Sequence, residues 1–303
     1  DLIVSRGLGD VYKRQEAPFL LRDLRHPLLI WQHKRSSGTP VVPISVDVSA
    51  QLRVVAITGP NTGGKTVSLK SLGLAALMAR AGMLLPCSGQ PSLPWCSQVL
   101  ADIGDEQSLQ QSLSTFSGHI KRIGRILHAL ESGPAPALVL LDEVGAGTDP
   151  SEGTALATAL LKALADRARL TIATTHFGEL KALKYSDDRF ENASVAFNAE
   201  TLSPTYELLW GIPGRSNALA IATRLGLDAG VLDQAQALLA PAAEGEVNTV
   251  IQGLEAQRQR QQAAAEDAAA LLARTELLHE ELLLRWQKQK QQTALHQEQG
   301  RQR

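Results

Sequence analysis

The amino-acid sequence predicts an α/β fold, a mostly parallel sheet flanked by helices and followed by one long C-terminal helix. Three observations predict it. Apolar runs at Leu52–Thr58, Ala137–Leu141 and Leu170–Thr174 suit short strands buried on both faces. Apolar residues at helical spacing follow at Lys65–Ala81 and from Ser112 to about Leu130, and a flexible turn leads into a further helix at Ser151–Asp166, so strands and helices alternate as the crossovers of a parallel sheet require. From Glu246 the composition turns to Ala, Gln, Glu, Arg and Leu, with no Pro and only Gly253 before Gly300, which is a helix-forming run.

Composition sets the outer limits. A chain of 303 residues can hold one sizeable core or two, and 44% hydrophobic with 20% charged is ordinary for a soluble protein. The net charge of −1 gives no global attraction to nucleic acid, so any such binding is expected from local patches or from parts absent here. Cys87 and Cys96 are too few for a disulfide framework and lack the paired spacing of a zinc site, which leaves reduced thiols. No apolar run approaches the ~20 residues that span a bilayer, and no signal-peptide pattern is visible. The expected location is cytoplasmic, with no membrane partner.

Taken in order, Asp1–Gln15 lacks an initiator Met and does not join naturally to the residues after it. It is either the ragged end of a truncated chain or foreign sequence; the second is preferred, and residues 1–15 are set aside as a foreign or disordered leader. Arg25–Leu29 leads into the polar turn Lys34–Gly38, and Val41–Val48 alternates as a strand, giving early strands expected beside the nucleotide. His26 could frame a base or cap a turn before Pro27.

Gly59-Pro60-Asn61-Thr62-Gly63-Gly64-Lys65-Thr66 then fits the phosphate-loop pattern GxxxxGK[ST] residue for residue. The glycines let successive backbone N–H groups curl around an anion, and the helix that starts at the loop adds its amides and dipole. Lys65 reaches the outer phosphates of a nucleoside triphosphate, and the Thr66 hydroxyl can ligate magnesium. Strand, glycine loop and helix stand in the required order. Gly82 and Pro86 break the following helix, and a Pro-, Ser- and Gly-rich loop is expected over Pro86–Pro94.

Gln98–Ile103 reads as a strand ending in an acidic, polar turn, Gly104–Ser108. Ser112–His119 (SLSTFSGH) opens the next helix with a crowd of hydroxyls, which either caps the helix or forms a second anion seat. Ala137–Leu141 ends directly in Asp142-Glu143, a Walker B arrangement: Asp142 serves the metal, and Glu143 is the general base that lines up attack on the γ-phosphate. Asp149 either caps the helix that Pro150 begins or acts across a subunit interface. His176 follows the strand Leu170–Thr174 at the ligand-facing edge, where it could sense the γ-phosphate. Strands at Arg189–Asn198 and Thr205–Trp210 and helices at Asn217–Leu225 and Asp228–Leu239 complete the lobe. Domains are therefore expected at 16–240 and, as a helical extension, at 241–303. In the extension Leu271, Leu272, Leu277, Leu278, Leu282 and Leu283 form a narrow stripe with imperfect heptads, able to pair as a coiled coil. Its mildly basic end, Arg285, Lys288, Lys290, Arg301 and Arg303, reads as a solvated face in preference to a weak phosphate-binding patch.

The set GPNTGGKT, DIGDEQS, STFSGH, LVLLDEVGAGTDPSEG and ATTHFGELK resembles the ATPase domain of the MutS superfamily, within the ABC class of phosphate-loop NTPases. In detail it is similar to the bacterial MutS-type-2 family, including the stretch GIPGRSNALAIATRLGL at Gly211–Leu227. The match runs from about Arg25 to Leu239. The resemblance implies ATP and Mg2+ as cofactors and a homodimer with composite sites, each ATP held by the phosphate loop of one subunit and the serine cluster of the other. It implies that Ser114 and Thr115 reach the γ-phosphate in trans, that His176 is a switch residue acting with Lys65 and Glu143 in catalysis, that Asp149 faces the partner, and that Gln107 joins the site to the rest of the protein. Members usually carry lever and clamp segments before the ATPase and a Smr nuclease domain after it; neither is found here, so the chain reads as a fragment and nuclease activity is not expected of its residues. Two targets follow from the resemblance: branched or mismatched DNA, with a limit on recombination, which is preferred on superfamily grounds, or stalled and collided ribosomes. A structural-maintenance or transporter motor of the ABC class is a weaker reading, opposed by the GIPGRSN stretch and the missing membrane segment.

Overall fold

The computed structural model describes residues 17–36, 40–59, 64–104, 115–198, 203–214 and 218–238, with single positions at 260, 268, 271, 272, 274, 275, 279 and 285. In chain order the elements are β1 (Phe19–Leu24), α1 (Pro27–Ser36), β2 (Ile44–Val48), β3 (Val54–Thr58), α2 (Lys65–Arg80), β4 (Ser88–Ser92), β5 (Gln98–Asp102), α3 (Thr115–Ser132), β6 (Ala137–Leu141), α4 (Pro150–Arg167) and β7 (Leu170–Thr174). A 3-10 turn (Glu179–Ala182), α5 (Leu183–Ser186), β8 (Phe190–Asn198), β9 (Ser203–Trp210), α6 (Ala218–Arg224) and α7 (Ala229–Leu238) complete the series.

Six strands form the main sheet in the order β5-β6-β7-β3-β8-β9. All neighbours run parallel except β9, which closes the edge antiparallel to β8. In β3, β6 and β7 every residue is buried, because helices or strands cover both faces and the apolar run has no wet side. Side chains still alternate. Val55, Ile57, Leu138, Leu140 and Ile172 pack with Leu69 and Leu72 of α2 and with Phe19, Leu21 and Val46 of the smaller sheet. Val54, Val139, Leu141 and Ala173 face the other way, onto Leu160, Leu161 and Leu164 of α4 and Ile126 of α3.

Parallel pairing brings the carboxyl ends of β3, β5, β6, β7 and β8 to one edge. Gly59, Asp102, Asp142, Glu143, Thr175 and His176 all follow or end those strands, so residues distant in sequence become neighbours. The ladder continues past the strand ends: Asp142 N donates to Asp102 O at 2.9 Å, Val144 N to Thr174 O at 3.0 Å, and Thr175 N to Ile57 O at 3.1 Å.

Several expectations are corrected. Residues 25–29 are no strand. Pro27 opens α1 with its φ already set for a helix, and the last turn carries His33, Lys34 and Arg35 against the helix dipole. The strand expected from Val41 starts only at Ile44, after Pro40 and Pro43, which have no amide to donate. The expected loop at 86–94 contains β4, which pairs antiparallel with β1 through Leu20↔Ser92 and Arg22↔Ser88; with β2 these make a three-stranded sheet in the order β2-β1-β4. β4 tolerates Pro91 because it is an edge strand.

The chain divides into two units, Asp1–Ala240 and Pro241–Arg303. In the second, the described residues are helical, and Leu271 and Leu272 are exposed. The stripe residues Leu277, Leu278, Leu282 and Leu283, and the leader 1–15, lie outside the described residues. No described helix is long and apolar enough to cross a membrane.

Candidate active site

The site is built where β3 gives way to α2. Pro60, Asn61, Thr62 and Gly63 lie outside the described residues; Gly59, Gly64, Lys65 and Thr66 bracket them. Gly64 stands at the N-cap of α2 with φ 88°, and among the described residues no side chain caps the helix there, which leaves its first amides facing the loop. A Cβ at Gly64 would meet Tyr206 Cδ1 at 3.1 Å. Lys65 is buried, and its Nζ donates to Gly59 O at 2.6 Å across the loop. Burial lowers its pKa, while the carboxylates of Glu143 and Asp142 act in the opposite sense. A buried ammonium between a glycine-led helix start and two acids fits the outer phosphates of a triphosphate with its magnesium, and the half-buried Thr66 hydroxyl is one residue further on.

On the neighbouring side β6 delivers Asp142 and Glu143. The Thr174 hydroxyl donates to Asp142 Oδ1 and accepts from Glu143 N at 2.8 Å, so β7 sets both acidic residues. Glu143 has φ 51°, in the left-handed region that non-glycine residues rarely adopt. That turn takes Glu143 out of the strand direction while Asp142 stays buried. His176 is exposed beside the edge, its ring 4.8 Å from that of Phe177.

A second layer reaches the loop from the far end of the sequence. Gly214 N donates to Thr58 Oγ1 at 2.6 Å, and Gly214 O accepts from Lys181 Nζ at 2.7 Å. A Cβ at Gly214 would lie 2.8 Å from Gly59 N and 2.9 Å from the Thr58 carbonyl carbon, backbone that cannot move aside, so only glycine fits. The GIPG turn is thus seated on the root of the phosphate loop. The sequence reading missed Thr174, Lys181 and this contact. A hydroxyl closing a buried strand at the ligand-facing edge was the available signal for Thr174; nothing local pointed to Lys181.

Among the remaining expected residues, Asp149 caps α4: its Oδ1 accepts from Ser151 N at 2.9 Å, Ser151 Oγ at 2.6 Å and Glu152 N at 3.3 Å, with Pro150 at the first turn. Thr115 is the first residue of α3, while Ser114 and Gln107 lie outside the described residues. His26 lines a cavity of about 470 Å³ beside α2, with His33, Val41, Gly64 and Tyr206, and its Nδ1 has no hydrogen-bond partner among the described residues. Burial first, and Lys70 second, lower the His26 pKa. No group of three or more metal-ligating side chains occurs among the described residues.

A mostly parallel sheet in which one inner strand leads through a glycine-rich stretch into a helix, and another strand, one place removed in the sheet, ends in an acidic pair, defines the class of phosphate-loop nucleoside triphosphatase domains. The family model for MutS domain V matches residues 55–242. The chain belongs to the MutS family, in its MutS2 branch. It is 59% identical over 282 residues to the "Endonuclease MutS2" of Synechocystis sp., covering 88% of this chain and 34% of that protein. It is 53% identical over 234 residues to that of Symbiobacterium thermophilum, covering 77% of this chain and 28% of the relative. The match to the Lacticaseibacillus casei protein is 44% over 269 residues, 89% of this chain and 33% of the relative. The chain spans about a third of the length of these relatives. MutS-family proteins are ATPases that use ATP and Mg2+.

Proposed function

We propose that this chain is the ATP-hydrolysing motor of a MutS2-type homodimer that acts on branched or mismatched DNA and limits recombination. The observation that carries the reading is the buried Lys65 between the start of α2 and the Asp142–Glu143 pair, which Thr174 holds in place. Gly59 to Thr66 receive the phosphates, and the cavity beside α2 receives the base, with Tyr206 and His26 on its walls. Thr66 and Asp142 hold Mg2+, which when bound neutralises charge on the phosphates. Glu143 accepts the proton of the attacking water, and Lys65 steadies the negative charge that develops on the phosphoryl oxygens.

The homodimer completes the site. Thr115, the first residue of α3, and Ser114, the residue before it in the sequence, reach the γ-phosphate bound by the partner, and His176 reports its presence. ATP therefore closes the dimer and hydrolysis releases it. Nuclease chemistry, named for the longer relatives, is not assigned to these residues.

The test is Glu143→Gln, which keeps the shape of the side chain and removes the base. With ATP it is expected to sediment as a dimer, and with Lys65→Ala added the dimer and nucleotide binding are both expected to vanish. An ATP-loaded monomer of Glu143→Gln would overturn the composite site.

A further inference from the structure

Asp102 ends β5 and is 2% exposed. Its carboxylate is the meeting point of two side chains from α3: Nδ1 of His119 lies 2.7 Å from Oδ2, and Nε of Arg122 donates to Oδ1. His119 and Arg122 are three residues apart and share one face of the helix. An ionised carboxylate only accepts, so Nδ1 carries the proton in this contact. The Arg122 Nη2, 3.3 Å from Nδ1, is also a donor and approaches the ring without bonding to it. The backbone of Asp102 faces a different neighbour, since its carbonyl accepts from Asp142 N. One buried residue is therefore bonded both to the helix that begins at Thr115 and to the strand end that carries Asp142 and Glu143. Asp102, His119, Asp142 and Glu143 border one cavity of about 270 Å³.

We propose that Asp102, acting through His119 and Arg122, is a positioning residue that sets the seat α3 presents to the partner's nucleotide. The proposal rests on the composite-site reading above. In that arrangement the start of α3 serves the partner's ATP, while Asp142 and Glu143 serve the chain's own. Asp102 is the hydrogen-bonded link between the two, through its carboxylate to α3 and through its carbonyl to Asp142 N, so it couples one ATP site to the other. The physical reason is that a helix held by a buried carboxylate at two points one turn apart can neither rotate nor slide without leaving Arg122 or the carboxylate unpaired.

The decisive experiment mixes impaired variants of the purified chain. Asp102→Asn keeps the side-chain shape and removes the charge; it is expected to bind a fluorescent ATP analogue within about twofold of wild type while kcat falls about tenfold or more. His119→Ala is expected to do the same, and His119→Gln, which retains a donor, to recover most of the rate. Mixed with Lys65→Ala, which binds no nucleotide but carries an intact α3, Asp102→Asn is expected to regain ATPase activity, because the one loaded site then faces a sound seat. The double variant Ser114→Ala, Thr115→Ala mixed with Lys65→Ala is the control. If the control recovers and the Asp102→Asn mixture does not, Asp102 acts within its own subunit and the proposal falls. If the control fails to recover, the composite-site reading falls and takes the proposal with it. Wild-type kcat in both Asp102→Asn and His119→Ala also overturns it; should Asp102→Asn not fold, His119→Ala carries the same mixing test.

Discussion

Thr174 shows how one hydroxyl can govern an acidic pair. It is fully buried at the end of β7, donates to Asp142 and accepts from Glu143 N, and so commits its one donor and one of its two acceptor lone pairs to the end of the neighbouring strand. Thr174→Val keeps the volume and removes the polar atom. It leaves a buried carboxylate oxygen and a backbone N–H each short of a partner, which costs about 1–3 kcal/mol per orphaned group. Urea unfolding should show a loss of that order, and kcat should fall about tenfold or more because Glu143 no longer has its backbone held in the left-handed turn. A stable variant with unchanged kcat would mean that Glu143 keeps its conformation without the hydroxyl.

At the scale of elements, α4 depends on its cap. Asp149 is held below its ordinary pKa by the Ser151 hydroxyl first, then by the amides of Glu152 and Ser151. A carboxylate whose pKa is depressed on folding contributes stability above its unfolded pKa and loses it as pH falls through the folded value. Asp149→Ala should therefore lower the urea midpoint near neutral pH, and the gap from wild type should narrow below about pH 4. Asp149→Asn, which still accepts from the amides, should stay near wild type near neutral pH and show no such narrowing. A gap that is flat with pH would mean that the anionic form adds nothing to the cap. This helix also bears Leu160, Leu161 and Leu164 against β6 and β7, so fraying at its start is felt at the strand ends.

For the molecule as a whole, the net charge of −1 offers no general pull on a polyanion. Stimulation of the proposed ATPase by nucleic acid would then come from local patches or from other parts of the whole protein. Branched DNA is expected to raise ATP turnover more than linear duplex, with an effect that weakens as salt rises. Collided ribosomes supplied in its place should leave the rate near basal. The opposite ranking would transfer the motor to ribosomes while leaving the ATP chemistry intact, so the two questions are separable.

Periodicity and motif order were enough to establish the alternating α/β plan, the phosphate loop and the acidic pair after β6, because those features depend on residues adjacent in the chain. The same local signals misjudged α1, since a proline before an apolar run marks a helix start as readily as a turn, and they could not see β4, whose exposed, polar residues join a sheet only because β1 is there to pair with. They also stopped short of Thr174 on Asp142, Gly214 on Thr58, and Asp102 on His119 and Arg122. Those contacts join residues 32, 156, 17 and 20 positions apart. Hydrogen-bond partners at such separations are chosen by the strand order and the crossover of each helix, which no single stretch of sequence carries. Local composition therefore determined which groups are available for phosphate and metal chemistry, and tertiary structure decided which backbone and helix each of them is fastened to.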